Sequence, residues 1–163
     1  MAKVIYTLGD DISTDIIYPG RYMATVLPSE TPHYAFADIK ELNEALKMNK
    51  IQHGSILVAG KNFGCGSSRE QAVSSLKGYE LIIVARNFAR IFLQNSINLG
   101  LKTITCPSIA AQSGDELIFS ESEILNTTSG ETFGIVPLPS ARMAIIQAGG
   151  LIAYTRKRLM EEH

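Results

Sequence analysis

Short apolar runs alternate with helically spaced apolar positions through the first two-thirds of the chain. Residues 3–8 read as a strand, and a polar, turn-rich stretch from Gly9 to Gly20 follows. Residues 21–33 contain Pro28 and Pro32 with few periodic apolar positions, which predicts a long loop. From Tyr34 to Met48, apolar side chains at 35, 36, 39, 42, 45 and 46 carry a helical spacing. Residues 55–59 form a strand ended by Gly60. Residues 67–76 read as a helix with Ala72, Val73 and Leu76 on one side and Gly78 past its end. Residues 81–85 are apolar throughout, as at the centre of a sheet covered on both faces. A helix over 88–99 closed by Gly100 and a strand over 102–106 complete the run.

This β-α-β-α-β order with short crossovers implies parallel strands. The character then changes. Residues 116–119, 123–126 and 132–136 are short, separated by Ser, Gly, Thr and Glu, and predict antiparallel hairpins. A last helix starts near Ser140, breaks at Gly149-Gly150 and leaves a charged tail from Arg156 to His163. The fold class is therefore α/β with an added β layer, and 163 residues suit a single domain spanning 1–163 with a real core.

Composition narrows the function. A net charge of −1 gives no electrostatic footprint for nucleic acid or an anionic membrane. No apolar run reaches the ~18–20 residues that span a bilayer. The N-terminus reads directly into a strand without a signal-peptide core, and Cys65 and Cys106 lack paired spacing. A reducing, cytoplasmic setting is the expectation.

The most informative stretch is Gly60-Lys61-Asn62-Phe63-Gly64-Cys65-Gly66-Ser67-Ser68-Arg69-Glu70, which joins a buried strand to a helix. Backbone N–H groups at such a junction favour an anion. It is no P-loop, because Ser67-Ser68 stands where Lys-Ser/Thr is needed, and Arg69 occupies the third small position of a dinucleotide fingerprint. Ser67 with Glu70 makes a capping box, which by itself accounts for both residue types. Arg69 does not fit that account. As the second helical residue it would oppose the macrodipole by roughly 0.3–1 kcal/mol, and its spacing to Val73 and Leu76 turns it inward. A guanidinium there is suited to a carboxylate, beside a hydroxyl and glycines that let a ligand approach.

A second polar cluster, Gly9-Asp10-Asp11-Ile12-Ser13-Thr14-Asp15, lacks the spacing of a calcium loop and its distal Glu. His33, His53 and His163 lie far apart, and with two separated cysteines they predict no metal site in this chain.

The segment 9–22, Gly-Asp-Asp-Ile-Ser-Thr-Asp-Ile-Ile-Tyr-Pro-Gly-Arg-Tyr, resembles the opening signature of aconitase-family small subunits. Residues 61–70 resemble the family's core motif, Phe88-Ala89-Arg90-Ile91-Phe92 with Asn95 a third, and Gly149-Gly150-Leu151 extends the likeness almost to the end. The resemblance implies the swivelling β/β/α three-layer fold and a hydro-lyase that works only with a large subunit. That partner would hold a [4Fe–4S] cluster, whose open iron acts as a Lewis acid on the leaving hydroxyl. It further implies that Ser67 is the base that takes a proton from carbon, stabilised by the helix N-terminus. Arg69 would bind a substrate carboxylate, with Ser68 and Asp15 as further active-site positions. The family's specificity loop falls on Tyr22-Met23-Ala24-Thr25. Met23 and Ala24 suit an alkyl substituent such as that of isopropylmalate, an intermediate of leucine biosynthesis. Arg21 nearby keeps homoaconitate open, alongside citraconate and dimethylmalate. A non-catalytic anion-binding module is the reading from another class.

Overall fold

The structure, a computed structural model, describes residues 2–48 and 51–162. Strands β1 (Ala2–Thr7), β2 (Ile56–Ala59), β3 (Ile82–Ala85) and β4 (Lys102–Thr105) lie side by side in parallel. The one-turn α1 (Thr14–Ile17) and α2 (Lys40–Lys47) lie between β1 and β2. Helix α3 (Glu70–Lys77) connects β2 to β3, and α4 (Arg90–Leu99) connects β3 to β4. Strands β5 (Glu116–Phe119), β6 (Glu123–Asn126) and β7 (Thr132–Gly134) then add to the other edge of β1 in antiparallel fashion. The order is β4-β3-β2-β1-β5-β6-β7.

A register irregularity falls between Val4 and Tyr6 of β1. An extra residue bends and twists a strand, and here it lies where β1 passes from partner β5, at Ala2 and Lys3, to partner β2. The antiparallel strands can thus fold over one face of the parallel ones. Residue parity shows that they do. Leu57, Ala59, Ile83 and Ala85 point into one core with Leu42, Leu46, Ala72, Val73, Leu76 and Phe92 of the helices. Their neighbours Ile56, Val58 and Val84 point into a second core with Leu117, Ile124 and Phe133 of β5–β7. The layers are therefore helix, parallel strands and antiparallel strands. Each fully buried aliphatic side chain contributes about 1.5–3 kcal/mol relative to exposure, so β2 and β3, buried on both faces, tie the layers together.

Gly100 caps α4 in the left-handed region at φ 79, as its place after Leu99 predicts. Three boundaries differ from expectation. Helix α2 begins at Lys40, because residues 31–34 form a 3-10 turn and Phe36 turns the chain at φ 52. The helically spaced Ala35 and Phe36 are buried all the same, in a turn. Helix α3 begins at Glu70 rather than near Ser67. At the end, α5 (Ser140–Gln147) does break at Gly149 and Gly150, but the charged stretch beyond is helix α6 (Leu151–Glu161). His163 lies outside the described residues.

Candidate active site

The loops leaving the carboxyl ends of β1 and β2 are laced together, in the place where open α/β sheets bind ligands. Gly60 N–H donates to Gly9 O at 3.1 Å, Asp11 N–H to Lys61 O at 2.8 Å, Gly64 N–H to Ile12 O at 2.7 Å, and Thr14 N–H to Cys65 O at 2.8 Å. The Asp10 carboxylate accepts from Lys61 N–H at 2.7 Å. Glycine is required at two of these points. A Cβ at Gly60 would fall 1.9 Å from Asp10 Oδ1, and one at Gly64, where φ is +84, would fall 2.2 Å from Phe92 Cγ.

This lacing corrects the capping-box expectation. Cys65 is drawn alongside Ser13, with Gly64 and Gly66 at positive φ, so the chain only bends at Ser67 and the helix has not yet begun there. The N-cap of α3 is Arg69 itself, at φ −69 and ψ 109, without a side-chain cap bond. Ser67 is free of capping, and its Oγ lies 3.3 Å from Thr14 Oγ1, either hydroxyl being able to donate. Arg69 likewise is not the second helical residue but the N-cap, a place unfavourable for a cation that its bond to Asp15 offsets.

The Arg69 side chain, 20% exposed, reaches across to α1. Its Nη1 donates to Asp15 Oδ1 at 2.7 Å and to the Tyr18 carbonyl at 3.1 Å. Asp15 Oδ1 also accepts from Gly20 N–H at 2.9 Å. The Arg69 bond first, and the Gly20 N–H second, hold the Asp15 carboxyl below the usual carboxylate range. Both of Arg69's bonds leave from a single nitrogen. The guanidinium is fixed in orientation while Nη2 and Nε make no bond among the described residues. A planar donor pair held this way fits a carboxylate. Ser68 is exposed on the same turn and has no bond among the described residues.

The residues read from the specificity loop lie close by. A Cβ at Gly20 would sit 3.4 Å from Arg69 Nη2, which places the start of the loop beside the guanidinium. Arg21 is engaged elsewhere, with Nη1 and Nη2 both donating to Asp38, at 3.0 and 2.5 Å. Its guanidinium carbon stands 4.7 Å from the Tyr22 ring centroid. Tyr22 stacks on Tyr34 at 4.2 Å. Thr25 N–H donates to Tyr22 O at 2.9 Å, closing a turn with exposed Met23 and Ala24 at its apex. The loop is also better anchored than its proline content and polarity suggest. Thr31 is fully buried and pairs with Ser74 Oγ at 2.8 Å. Tyr79 O–H donates to Pro32 O at 2.9 Å.

Sequence reasoning missed Thr14, Tyr18, Asp38 and Gln71 as parts of this arrangement. Thr14 had a signal, since it stands inside the Ser-Thr-Asp motif. Tyr18 had one too, lying within the 9–22 segment, whereas Asp38 and Gln71 act through contacts made only in three dimensions. A cavity of about 740 Å³ borders the Asp10–Gly60 end of the laced loops, lined in part by Asp10, Gly60, Arg86, Ile109 and Asn126 and containing none of Ser67, Arg69 or Asp15. Its guanidinium, Arg86, donates to the Ile109 carbonyl at 3.4 Å, so the chemistry is assigned to the Ser67–Arg69 end of the loops.

The chain as a whole is similar to known proteins. The family model described as Aconitase C-terminal domain matches residues 15–108. The small subunit of 3-isopropylmalate dehydratase from Methanosarcina acetivorans is 42% identical over 96% of each chain. The small subunit of that name from Moorella thermoacetica is 41% identical, over 94% of this chain and 93% of the relative. The chain belongs to the aconitase C-terminal domain family. A crystal structure of 3-isopropylmalate dehydratase (leuD) from Methanocaldococcus jannaschii superposes with a TM-score of 0.87 at 37% identity, covering 98% of this chain and 95% of that one. The α/β three-layer fold expected of the aconitase family is the fold observed, and the hydro-lyase class goes with it. Among the described residues no group of three His, Cys, Asp or Glu could hold a metal, and no helix is long and apolar enough to cross a membrane.

Proposed function

We propose that this chain is the small subunit of a 3-isopropylmalate dehydratase, interconverting 2- and 3-isopropylmalate in leucine biosynthesis in the cytoplasm. The observation that carries the reading is Arg69, pinned through one nitrogen by Asp15 and Tyr18 O, beside the Ser67–Thr14 hydroxyl pair. Arg69 offers Nη2 and Nε to a substrate carboxylate, and Ser68 borders the same anion. Ser67 Oγ takes the proton from the substrate carbon and returns it in the reverse direction. A serine oxygen bears negative charge only with help, which a donated Thr14 O–H at 3.3 Å and the N-terminal end of α3 supply.

The substituent is read by Met23 and Ala24 at the apex of the turn, with Tyr22 and Thr25 as its base. Arg21 is satisfied by Asp38 and serves as a loop anchor, which favours an alkyl group over a third carboxylate at this position. A [4Fe–4S] cluster does not fit this chain. Cys106 is buried in the second core, Cys65 is half-buried in the laced loop, and among the described residues no further ligands gather near either. We assign the cluster to a large-subunit partner, which would also close over the exposed Ser67 and Ser68.

The test is anaerobic co-expression with the candidate large subunit and assay against isopropylmalate, homoaconitate, citraconate and dimethylmalate. Turnover of isopropylmalate only when both chains are present, with iron in the larger one, is the expected result. Iron bound stoichiometrically by this chain alone, or no turnover of any hydroxy diacid, would overturn it.

A further inference from the structure

Tyr18, within the 9–22 segment, touches both halves of the site. It is fully buried between Ile17 and Pro19. Its carbonyl accepts from Arg69 Nη1 at 3.1 Å. Its hydroxyl lies 3.1 Å from Tyr22 O and 3.2 Å from Thr25 O, the two ends of the turn whose apex is Met23-Ala24. A phenol has one proton, so the two carbonyls share it, and removing the hydroxyl takes that donor from both, leaving Tyr22 O with the Thr25 N–H alone. Burial raises the phenol above its ordinary pKa, which keeps it a donor throughout the neutral range. The Tyr18 ring meets Tyr34 edge-on at 6.3 Å, and Tyr34 stacks on Tyr22. Gln71 Nε2 donates to the intervening carbonyl of Met23 at 3.3 Å, linking the same turn to α3.

We propose that Tyr18 is a specificity-positioning residue: its hydroxyl plugs the base of the Tyr22–Thr25 turn and sets the distance between the apex that reads the substituent and the guanidinium that grips the carboxylate. The proposal rests on the function given above. The carbonyl of Tyr18 fixes Arg69, its hydroxyl fixes the turn, and one rigid ring separates them. Substituent and carboxylate are therefore measured from a common buried post. Gln71 reaches only the Met23 carbonyl, and without the Tyr18 hydroxyl nothing ties the two ends of the turn to the post that holds Arg69.

Tyr18→Phe removes the hydroxyl and keeps the ring, its edge contact and the backbone carbonyl. In the reconstituted two-subunit enzyme, kcat/KM for isopropylmalate should fall roughly 3- to 10-fold, the worth of about one shared hydrogen bond, mainly through KM. The shorter 3-methylmalate, followed as KM or as an inhibition constant, should change far less, so discrimination between the two acids narrows. In the free chain, amide hydrogen exchange over residues 22–27 should rise while β2 and β3 keep wild-type protection, which shows that the variant is folded. Equal losses for both acids, an unchanged ratio, or unchanged exchange over 22–27 would overturn the proposal. A wild-type complex that turns over neither acid would overturn the functional reading first, and this proposal with it.

Discussion

Replacing Arg69 by lysine keeps the charge and removes the fork. In the native arrangement Nη1 is committed to Asp15 and to the Tyr18 carbonyl, which leaves Nη2 and Nε for substrate. Lysine has one nitrogen for all of these tasks. If it stays with Asp15, at the 2.7 Å contact arginine makes, it reaches substrate with a point charge at best. If it turns to substrate, Asp15 loses its partner and the grip loses its orientation. Either way at least one charge-assisted hydrogen bond to the carboxylate goes, worth about 1.5–3 kcal/mol. That corresponds to a fall in kcat/KM of roughly 10- to 150-fold. The fold should hardly notice, because Asp15 is 67% exposed and such pairs contribute little to stability. Steady-state kinetics on the two-subunit enzyme, with thermal melts of the free chain, separate these effects. An unchanged kcat/KM would mean that Arg69 does not hold substrate in the reacting state, and its fixed geometry would then need another explanation.

Ser67→Ala should lower the rate by about 10²–10⁴-fold, the usual worth of a positioned proton-transfer group, with subunit assembly intact by gel filtration. Its Tm should barely move, since Ser67 is exposed and caps nothing; activity near wild type would make the hydroxyl incidental. Asp15 has a folded-state pKa below its ordinary 3.8, so its ionised form adds stability above about pH 4, and that contribution is lost as pH falls through the folded-state value. Asp15→Asn should therefore melt below wild type at pH 7, with the gap closing in acid below pH 4. A gap that persisted in strong acid would show that the Arg69 pairing is not its source.

Much of the fold was legible because it follows from local pattern. The all-apolar run at residues 82–85 announces a strand covered on both faces, and Gly100 announces the end of α4. The start of α3 was misplaced for the converse reason. Ser67 and Glu70 form a valid local capping box, but the pairing of Cys65 with Ser13 delays the helix until Glu70, and tertiary contact prevails over a cap worth about 1 kcal/mol. Ser67 and Arg69 stood out locally as a hydroxyl beside an inward guanidinium, Asp15 came from motif resemblance, and the structure brings the three together through α1. The anchoring of residues 21–33 was hidden, because Thr31 against Ser74 and Tyr18 against Thr25 leave no periodic trace. The helical character of 151–161 was obscured by charge, although Arg, Lys, Leu, Met and Glu are all good helix formers.

The position of β1 bears on how the chain reaches this state. The first strand made is the one in the middle of the sheet, with Val4 beside Ile56 on one side and Ala2 beside Leu117 on the other. On a ribosome, β1 can acquire β2, β3 and β4 in turn as each crossover helix emerges. Its second edge stays open until most of the protein has been synthesised. During that interval Val4, Ile56, Val58 and Val84 face water, awaiting Leu117, Ile124 and Phe133. Closing so long a loop is slow, and an open strand edge beside an uncovered apolar face is a nascent-chain hazard. The vulnerable interval therefore falls after the laced loops have been made and before the layer that seals their supporting strands has arrived.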